Sequence, residues 1–307
     1  ITNHSIKTND IIITCRFNPD FVILCFAGKT CIPGIKGRPV HSSTTLKEGI
    51  CMNTTLSTLI VLCPLIFAAG FIDSIAGGGG LISLPAYLIA GLPIHFAYGT
   101  NKFSSTFGTL LAAARFLKSG QVHMKAAAAS VAGALVGSFL GARLALALDA
   151  KYLKYCLVVM LPVIAIFILT RRGFGEKTRV QTLSNTRIVV YSILSGMVIG
   201  AYDGFFGPGT GTFLILIYTG VIGFNLTMAS GNAKMVNLAS NISALLTFII
   251  GGKVMFLIGI PAAVFGILGN WIGSGLAIKN GARVIKPVFV CVLTILFATV
   301  IFDLVKH

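Results

Sequence analysis

The sequence predicts an all-α, polytopic membrane protein made of two inverted repeats, each with a glycine-broken helix pair and three further spans. Three observations carry this prediction: the composition, the lengths of the apolar runs, and a motif that occurs twice. Of the 307 residues, 55% are hydrophobic and 10% are charged. Soluble domains do not reach that balance, because they must cover themselves with polar surface. Apolar runs lie at 56–76, 81–92, 103–117, 126–148, 152–170, 188–201, 212–222, 236–250, 254–278 and 284–305. Several approach the roughly 20 residues that a helix needs to cross a bilayer. The runs at 81–92 and 212–222 are shorter, and each follows a glycine-rich break, so they read as half-helices.

Residues 1–51 behave differently. They mix polar and apolar residues without a clear period and carry Cys15, Cys25, Cys31 and Cys51, four of the seven cysteines. Their longest apolar run, 21–27, is too short for a signal peptide and lacks a small-residue cleavage pattern. Lys47, Glu48 and Gly49 can be encoded by a ribosome-binding sequence suitably placed before Met52. The expectation is a translated leader, or else a disordered extension, over 1–51. The membrane domain is then 52–307, with repeats at about 56–170 and 187–305. Within it Cys63, Cys156 and Cys291 each stand alone in an apolar run, without metal-ligand spacing, and read as small buried hydrophobes.

The formal net charge is +16, and residues beyond 51 hold 18 basic against 5 acidic side chains. The basic residues fall in short connections rather than on one soluble face, which argues against a nucleic-acid partner. The richest connections contain Arg115, Lys118 and Lys125; then Arg171, Arg172, Lys177, Arg179 and Arg187; then Lys279, Arg283 and Lys286. The positive-inside rule places these in the cytoplasm, with the alternate connections and the C-terminus outside.

The repeat is explicit. "FIDSIAGGGG" at Phe71–Gly80 returns as "AYDGFFGPGTG" at Ala201–Gly211, with Asp73 matching Asp203, Gly77 matching Gly207 and Gly79 matching Gly209 at an offset of 130. After a two-residue shift, "GTNK" at Gly99–Lys102 matches "GNAK" at Gly231–Lys234, and Phe116, Gly120, Gly137 and Gly141 match Phe248, Gly252, Gly269 and Gly273. A broken pair contributes an even number of crossings, and three more spans make the period odd. The copies are therefore expected to be inverted about an axis in the membrane plane, with a site at the discontinuous helices.

Irregular backbone at membrane depth must be buried in protein or line a polar cavity. Gly77, Gly78, Gly79 and Gly80 in the first copy, with Gly207, Gly209 and Gly211 in the second, are expected to permit tight turns and close approach. Positive φ is expected at Gly78 and Gly79. Each half-helix begins there with unpaired N–H groups and a positive dipole end, which favours an anion. Asp73 lies inside an apolar run and Asp203 two residues past the end of another, at the second break, whereas Asp149, Glu176 and Asp303 lie in connections or near run ends. Intramembrane carboxylates are costly and mark either function or a fixed pair. Both are candidates for proton coupling, and an ion pair with Lys102 or Lys234 is the alternative.

A polar stripe follows each half-helix. Lys102, Ser105 and Thr109 share one helical face and map onto Lys234, Asn237 and Asn241, with Asn101 and Asn232 nearby in sequence. Ammonium, amide and hydroxyl groups in this pattern suit an oxyanion; snorkelling lysines and interhelical polar contacts are the alternative. Gly133, Gly137 and Gly141, with Gly269 and Gly273, are expected to serve packing alone.

These residues resemble the sulfite exporter TauE/SafE family of bacterial membrane proteins. The resemblance rests on "AGFIDSIAGGGGLISLPAYLIAG", "GTNK", "YDGFFGPGTGTF", "GNAKMVNLASN" and "GGKV", and covers residues 56–304. It implies a plasma-membrane permease for sulfite, sulfonates or related small anions, without a bound cofactor or metal and without enzymatic activity. Two rivals come from other classes. An intramembrane aspartyl protease would use two membrane aspartates, and "YD" at Tyr202 and Asp203 fits; but the GxGD element is missing, since Gly70, Phe71 and Ile72 precede Asp73. A non-transporting assembly partner would need no charged residues in its spans.

Overall fold

The structure is a computed structural model of the chain and describes residues 3–8, 11–18, 21–26, 56–153, 155, 184–285 and 287–288. The chain divides into two compact units, Ile1–Ile60 and Val61–His307. In the first, β1 (Asn3–Thr8), β2 (Ile11–Asn18) and β3 (Phe21–Phe26) form an antiparallel meander, with Thr8 opposite Ile11 and Asn18 opposite Phe21. No period was legible there because "IIITCRF" and "FVILCF" are nearly continuous runs of β-branched, aromatic and other apolar residues.

Beyond these strands, the described chain is helical. The first repeat comprises α1 (Leu56–Ala76), α2 (Gly80–Ile89), α3 (Ile94–Lys118) and α4 (Met124–Ala147). The second comprises α5 (Asn185–Phe205), α6 (Thr210–Ile217) with a π-helical turn over Tyr218–Ile222, α7 (Leu226–Ile250) and α8 (Phe256–Asn280). Among the described residues, five helices (α1, α4, α5, α7 and α8) are long and apolar enough to cross a membrane. The further spans expected at 152–170 and 284–305 fall largely outside the described residues.

Both half-helices are present. The 10 residues of α2 rise about 15 Å, half of a hydrocarbon core of about 30 Å. The expected boundaries fail where the site lies: α3 starts at Ile94 rather than 103, and α7 at Leu226 rather than 236. Hydropathy hides these first turns because their polar residues, Lys102 and Lys234 among them, face protein instead of lipid.

The two repeats interlock. α4 packs along α5, and α8 correspondingly packs along α1. α3 packs on α8 as α7 packs on α4, and α3 and α7 pack on each other. Exchanging the repeats leaves this pattern unchanged.

Small residues permit the close approach. A Cβ at Gly137 would lie 2.1 Å from the Met197 carbonyl oxygen, and one at Gly141 would lie 2.0 Å from that of Ala201. Gly196 and Gly204 meet Ser130 and Ser138 as tightly from the other side. In the partner seam, Gly269 lies against Phe67 and Gly273 against Phe71. This is packing of backbone on backbone, driven by van der Waals contact where lipid supplies no hydrophobic drive. Because the neighbour is a carbonyl rather than a flexible side chain, Gly137 is as intolerant a position as any in the glycine breaks.

Gly137→Ala is therefore expected to cost about 1–3 kcal/mol or more and to lower the melting temperature in detergent, with loss of monodisperse protein. Gly220→Ala, where an added Cβ meets nothing within 4 Å, should leave both unchanged.

Candidate functional site

At the breaks the chain turns sharply and the two repeats touch. Gly77, Gly207 and Gly209 have φ of +77°, +93° and +81°, a region that L side chains rarely adopt. Positive φ thus falls on Gly77, and not on the expected Gly78 or Gly79, the latter having a φ of −59°. Gly79 is needed for space instead, since a Cβ there would lie 2.4 Å from both the Asp73 Cβ and the Ala69 carbonyl oxygen. A Cβ at Gly77 would lie 2.3 Å from the Gly211 carbonyl carbon, and Gly80 abuts Pro208. The C-terminal end of α1 is completed from the other repeat: the Thr212 hydroxyl donates to the Ala76 carbonyl at 3.0 Å, and that of Ser230 to Ile75 at 3.4 Å. The broken backbone is thus satisfied within protein, as a membrane interior requires.

The four charged groups pair across the repeats. Lys102 Nζ on α3 lies 2.8 Å from Asp203 Oδ2 on α5, and Lys234 Nζ on α7 lies 2.7 Å from Asp73 Oδ2 on α1. Neither lysine snorkels; both side chains are buried, at 4% and 0% exposure. The ion-pair alternative is therefore what the fold builds, with each lysine reaching the other repeat's aspartate.

The pairs are not equivalent. Asp203 is clamped on both oxygens: the Thr210 hydroxyl lies 2.8 Å from Oδ1, and the Ser240 hydroxyl donates to Oδ2 beside Lys102. Asp73 has Lys234 on Oδ2, and its side chain is 20% exposed against 6% for Asp203. The difference is written in the sequence. The residues matching Thr210 and Ser240 are Gly80 and Gly108, which carry no hydroxyl. Lys102 also donates to Asn241 Oδ1 at 3.1 Å, and Asn241 in turn to Thr109 at 3.4 Å, so these three stripe residues are linked across the repeats.

These groups wall a polar cavity of about 50 Å³, room for several water-sized groups. Of the expected site residues, Asp73, Gly77, Gly79, Gly80, Asn101, Lys102 and Ser105 from the first repeat reach its wall. So do Asp203, Gly207, Gly211, Asn237 and Asn241 from the second. Gly78, Gly209, Asn232 and Lys234 are not on the wall. Asn232 instead donates to the Met228 carbonyl of its own helix at 2.8 Å, and Lys234 lies behind Asp73. Ser83, Ser104, Thr210 and Asn270 line the cavity without having been singled out. Thr210 was legible, since it interrupts "GPGTG" where the first repeat has glycine; Asn270 lies in the apolar "ILGNWIG", one position from a packing glycine. Two amide oxygens on the wall, Asn237 Oδ1 and Asn270 Oδ1, are buried without a hydrogen-bond partner. Buried acceptors of this kind are ordinarily paired with a donor.

Known proteins place this arrangement. The family model described as "Sulfite exporter TauE/SafE" matches residues 62–300. A "Probable membrane transporter protein YfcA" of Escherichia coli (strain K12) is 35% identical over 257 residues, covering 81% of this chain and 94% of the relative. A "Probable membrane transporter protein" of Haemophilus influenzae is 33% identical over 252 residues, covering 82% and 98%. A "Probable membrane transporter protein YdhB" of Bacillus subtilis (strain 168) is 26% identical over 216 residues, covering 70% and 87%. No solved structure matches. With its family match spanning the glycine breaks and both lysine–aspartate pairs, this chain belongs to the sulfite exporter TauE/SafE family of membrane proteins.

Proposed function

We propose that this chain is a secondary permease for small sulfur-containing oxyanions, such as sulfite or organosulfonates, in the bacterial plasma membrane, with its repeats inverted and its C-terminus outside. The observation that carries the reading is the cavity at the two glycine breaks, where a lysine from each repeat meets an aspartate from the other. A site made jointly by two interlocked halves is what alternating access needs, because rocking one half on the other remakes every wall at once. Lys102 donates to Asp203 and Asn241, which leaves the third N–H of its ammonium group for an oxyanion. The amide groups of Asn101 and Asn237 supply neutral N–H donors around it, and the Ser105 hydroxyl donates to Asn101 Oδ1 at 3.4 Å. The matched family and relatives are transporters by name, which supports the transport class but not a substrate.

The protease reading finds less support. Aspartyl chemistry needs two carboxylates sharing a proton, whereas here each carboxylate is engaged by a lysine. An assembly partner would have no use for a buried polar cavity assembled from both repeats.

Purified protein in proteoliposomes is expected to carry labelled sulfite or methanesulfonate down a gradient; no flux of either would sink the permease reading. Lys102→Met alone should cost folded yield, because it leaves Asp203 buried without its cation, a loss of about 3–5 kcal/mol. The charge-balanced Lys102→Met/Asp203→Asn protein should recover thermal stability yet bind the anion about tenfold to a hundredfold more weakly, the worth of one charge-assisted hydrogen bond. Wild-type affinity in that double variant would remove Lys102 from the site. Gly79→Ala, which drives a Cβ into Asp73, should lower flux far more than Gly220→Ala in matched amounts of folded protein.

A further inference from the structure

The cavity cluster holds two ammonium groups and two carboxylates, Lys102, Lys234, Asp73 and Asp203, so its formal charges cancel. A monovalent anion entering this low-dielectric space brings a charge that nothing on the wall balances, and an uncompensated buried charge is strongly disfavoured. Uptake of a proton by one carboxylate restores neutrality. The two carboxylates differ in their readiness for this.

We propose that Asp73, and not Asp203, takes up one proton for each monovalent anion that enters, so that transport is electroneutral anion–proton symport. The assignment rests on the permease reading and adds to it the coupling ion, the stoichiometry and the residue. A hydronium ion arriving from bulk water gives its proton to the Asp73 carboxylate: one O–H bond of hydronium breaks as the carboxylic O–H forms, leaving neutral water and a neutral acid. The Lys234 ion pair opens, and the cluster gains the positive charge that the anion then balances.

Geometry selects Asp73. Asp73 lies on the cavity wall, its side chain 20% exposed, with Lys234 on Oδ2. Asp203 is nearly closed off, at 6% exposure: Lys102 and the Ser240 hydroxyl hold Oδ2, and the Thr210 hydroxyl, which also reaches the Gly207 carbonyl at 2.7 Å, lies 2.8 Å from Oδ1. The matching positions around Asp73 are Gly80 and Gly108, and Asn270 occupies the space over Gly108, where an added Cβ would meet its Nδ2 at 2.5 Å. Among the described residues, the titratable groups facing Asp73 are Lys234 of α7 and, across the cavity, Lys102 of α3 and Asp203 of α5; α2, α6 and α8 present Ser83, Thr210 and Asn270. The two halves thus do different work, one pair acting as a lock and the other as the exchangeable site.

The test uses the full chain in proteoliposomes with methanesulfonate, whose charge is permanent, so that proton movement reports the protein and not the ligand. Labelled flux and external alkalinisation are read together, with and without a pH gradient. Wild type should take up about one proton per anion and accumulate methanesulfonate at least tenfold under an inward proton gradient. Asp73→Asn should lose accumulation and proton movement while slower anion counterflow persists. Asp203→Asn should lose melting temperature and flux, but whatever flux survives should still carry about one proton per anion. Should Asp73→Asn fail to fold, the charge-balanced Asp73→Asn/Lys234→Met protein replaces it and should likewise move no protons. Anion flux without proton movement in wild type, including sodium-dependent flux, overturns the assignment and leaves the permease standing. Proton-coupled flux in the Asp73 variants overturns it too, as does coupling lost in Asp203→Asn while present in Asp73→Asn. Absence of both net flux and counterflow in wild type overturns the permease reading for this anion, and the assignment with it.

Discussion

Two ammonium groups and two carboxylates stand inside helices whose outer faces meet hydrocarbon, and each would be intolerable there alone. Pairing makes them tolerable, and here the pairing crosses the repeats: Lys102 to Asp203, Lys234 to Asp73. Neither repeat can therefore neutralise itself. The halves must meet at the glycine breaks for either to fold in a membrane, and much else in the structure serves that meeting. The hydroxyls of Thr212 and Ser230 close the end of α1 from the other side, and Gly77 lies against Gly211 where no side chain would fit.

The small-residue seams are the means by which the pairs are held at bonding distance. α4 on α5 and α1 on α8 approach until backbone touches backbone at Gly137, Gly141, Gly269 and Gly273. A shift of one side-chain diameter there would pull the aspartates on α1 and α5 away from lysines on α7 and α3. In lipid, where apolar side chains gain little by leaving their surroundings, such close contact and buried polar pairs are the available sources of specificity. The same intimacy makes a rigid-body motion of one half felt at every wall of the cavity.

Duplication gives a symmetric frame, and a few substitutions break the symmetry where chemistry is concerned. Thr210 and Ser240 clamp Asp203, while Gly80 and Gly108 leave Asp73 with its lysine and the cavity. Asn237 and Asn270 stand where the first repeat has Ser105 and Ser138, and both leave an amide oxygen unpartnered at the wall. The frame is thus shared by two copies, but the polar lining is not.

Much of this was legible without coordinates. Composition and run lengths give the membrane class because hydrocarbon imposes a direct requirement on every exposed residue. The internal repeat names the two aspartates, two lysines, both breaks and the polar stripe, because a duplicated local motif survives as a sequence pattern. Spacing alone also marks Gly137 and Gly269 as packing residues. Tertiary structure decided which lysine meets which aspartate, since these partners lie 101 and 161 positions apart and no local rule links them. It decided that the polar first turns of α3 and α7 are helical, which hydropathy misses because it assumes that polar residues face water. It placed positive φ on Gly77 and steric need on Gly79, a distinction invisible in a run of four identical letters. It also brought Asn270 from a distant apolar helix to the wall, and set Lys234 behind Asp73 rather than beside the cavity. Contacts between remote segments depend on the register of packed helices, and that register is a property of the whole assembly rather than of any stretch of residues.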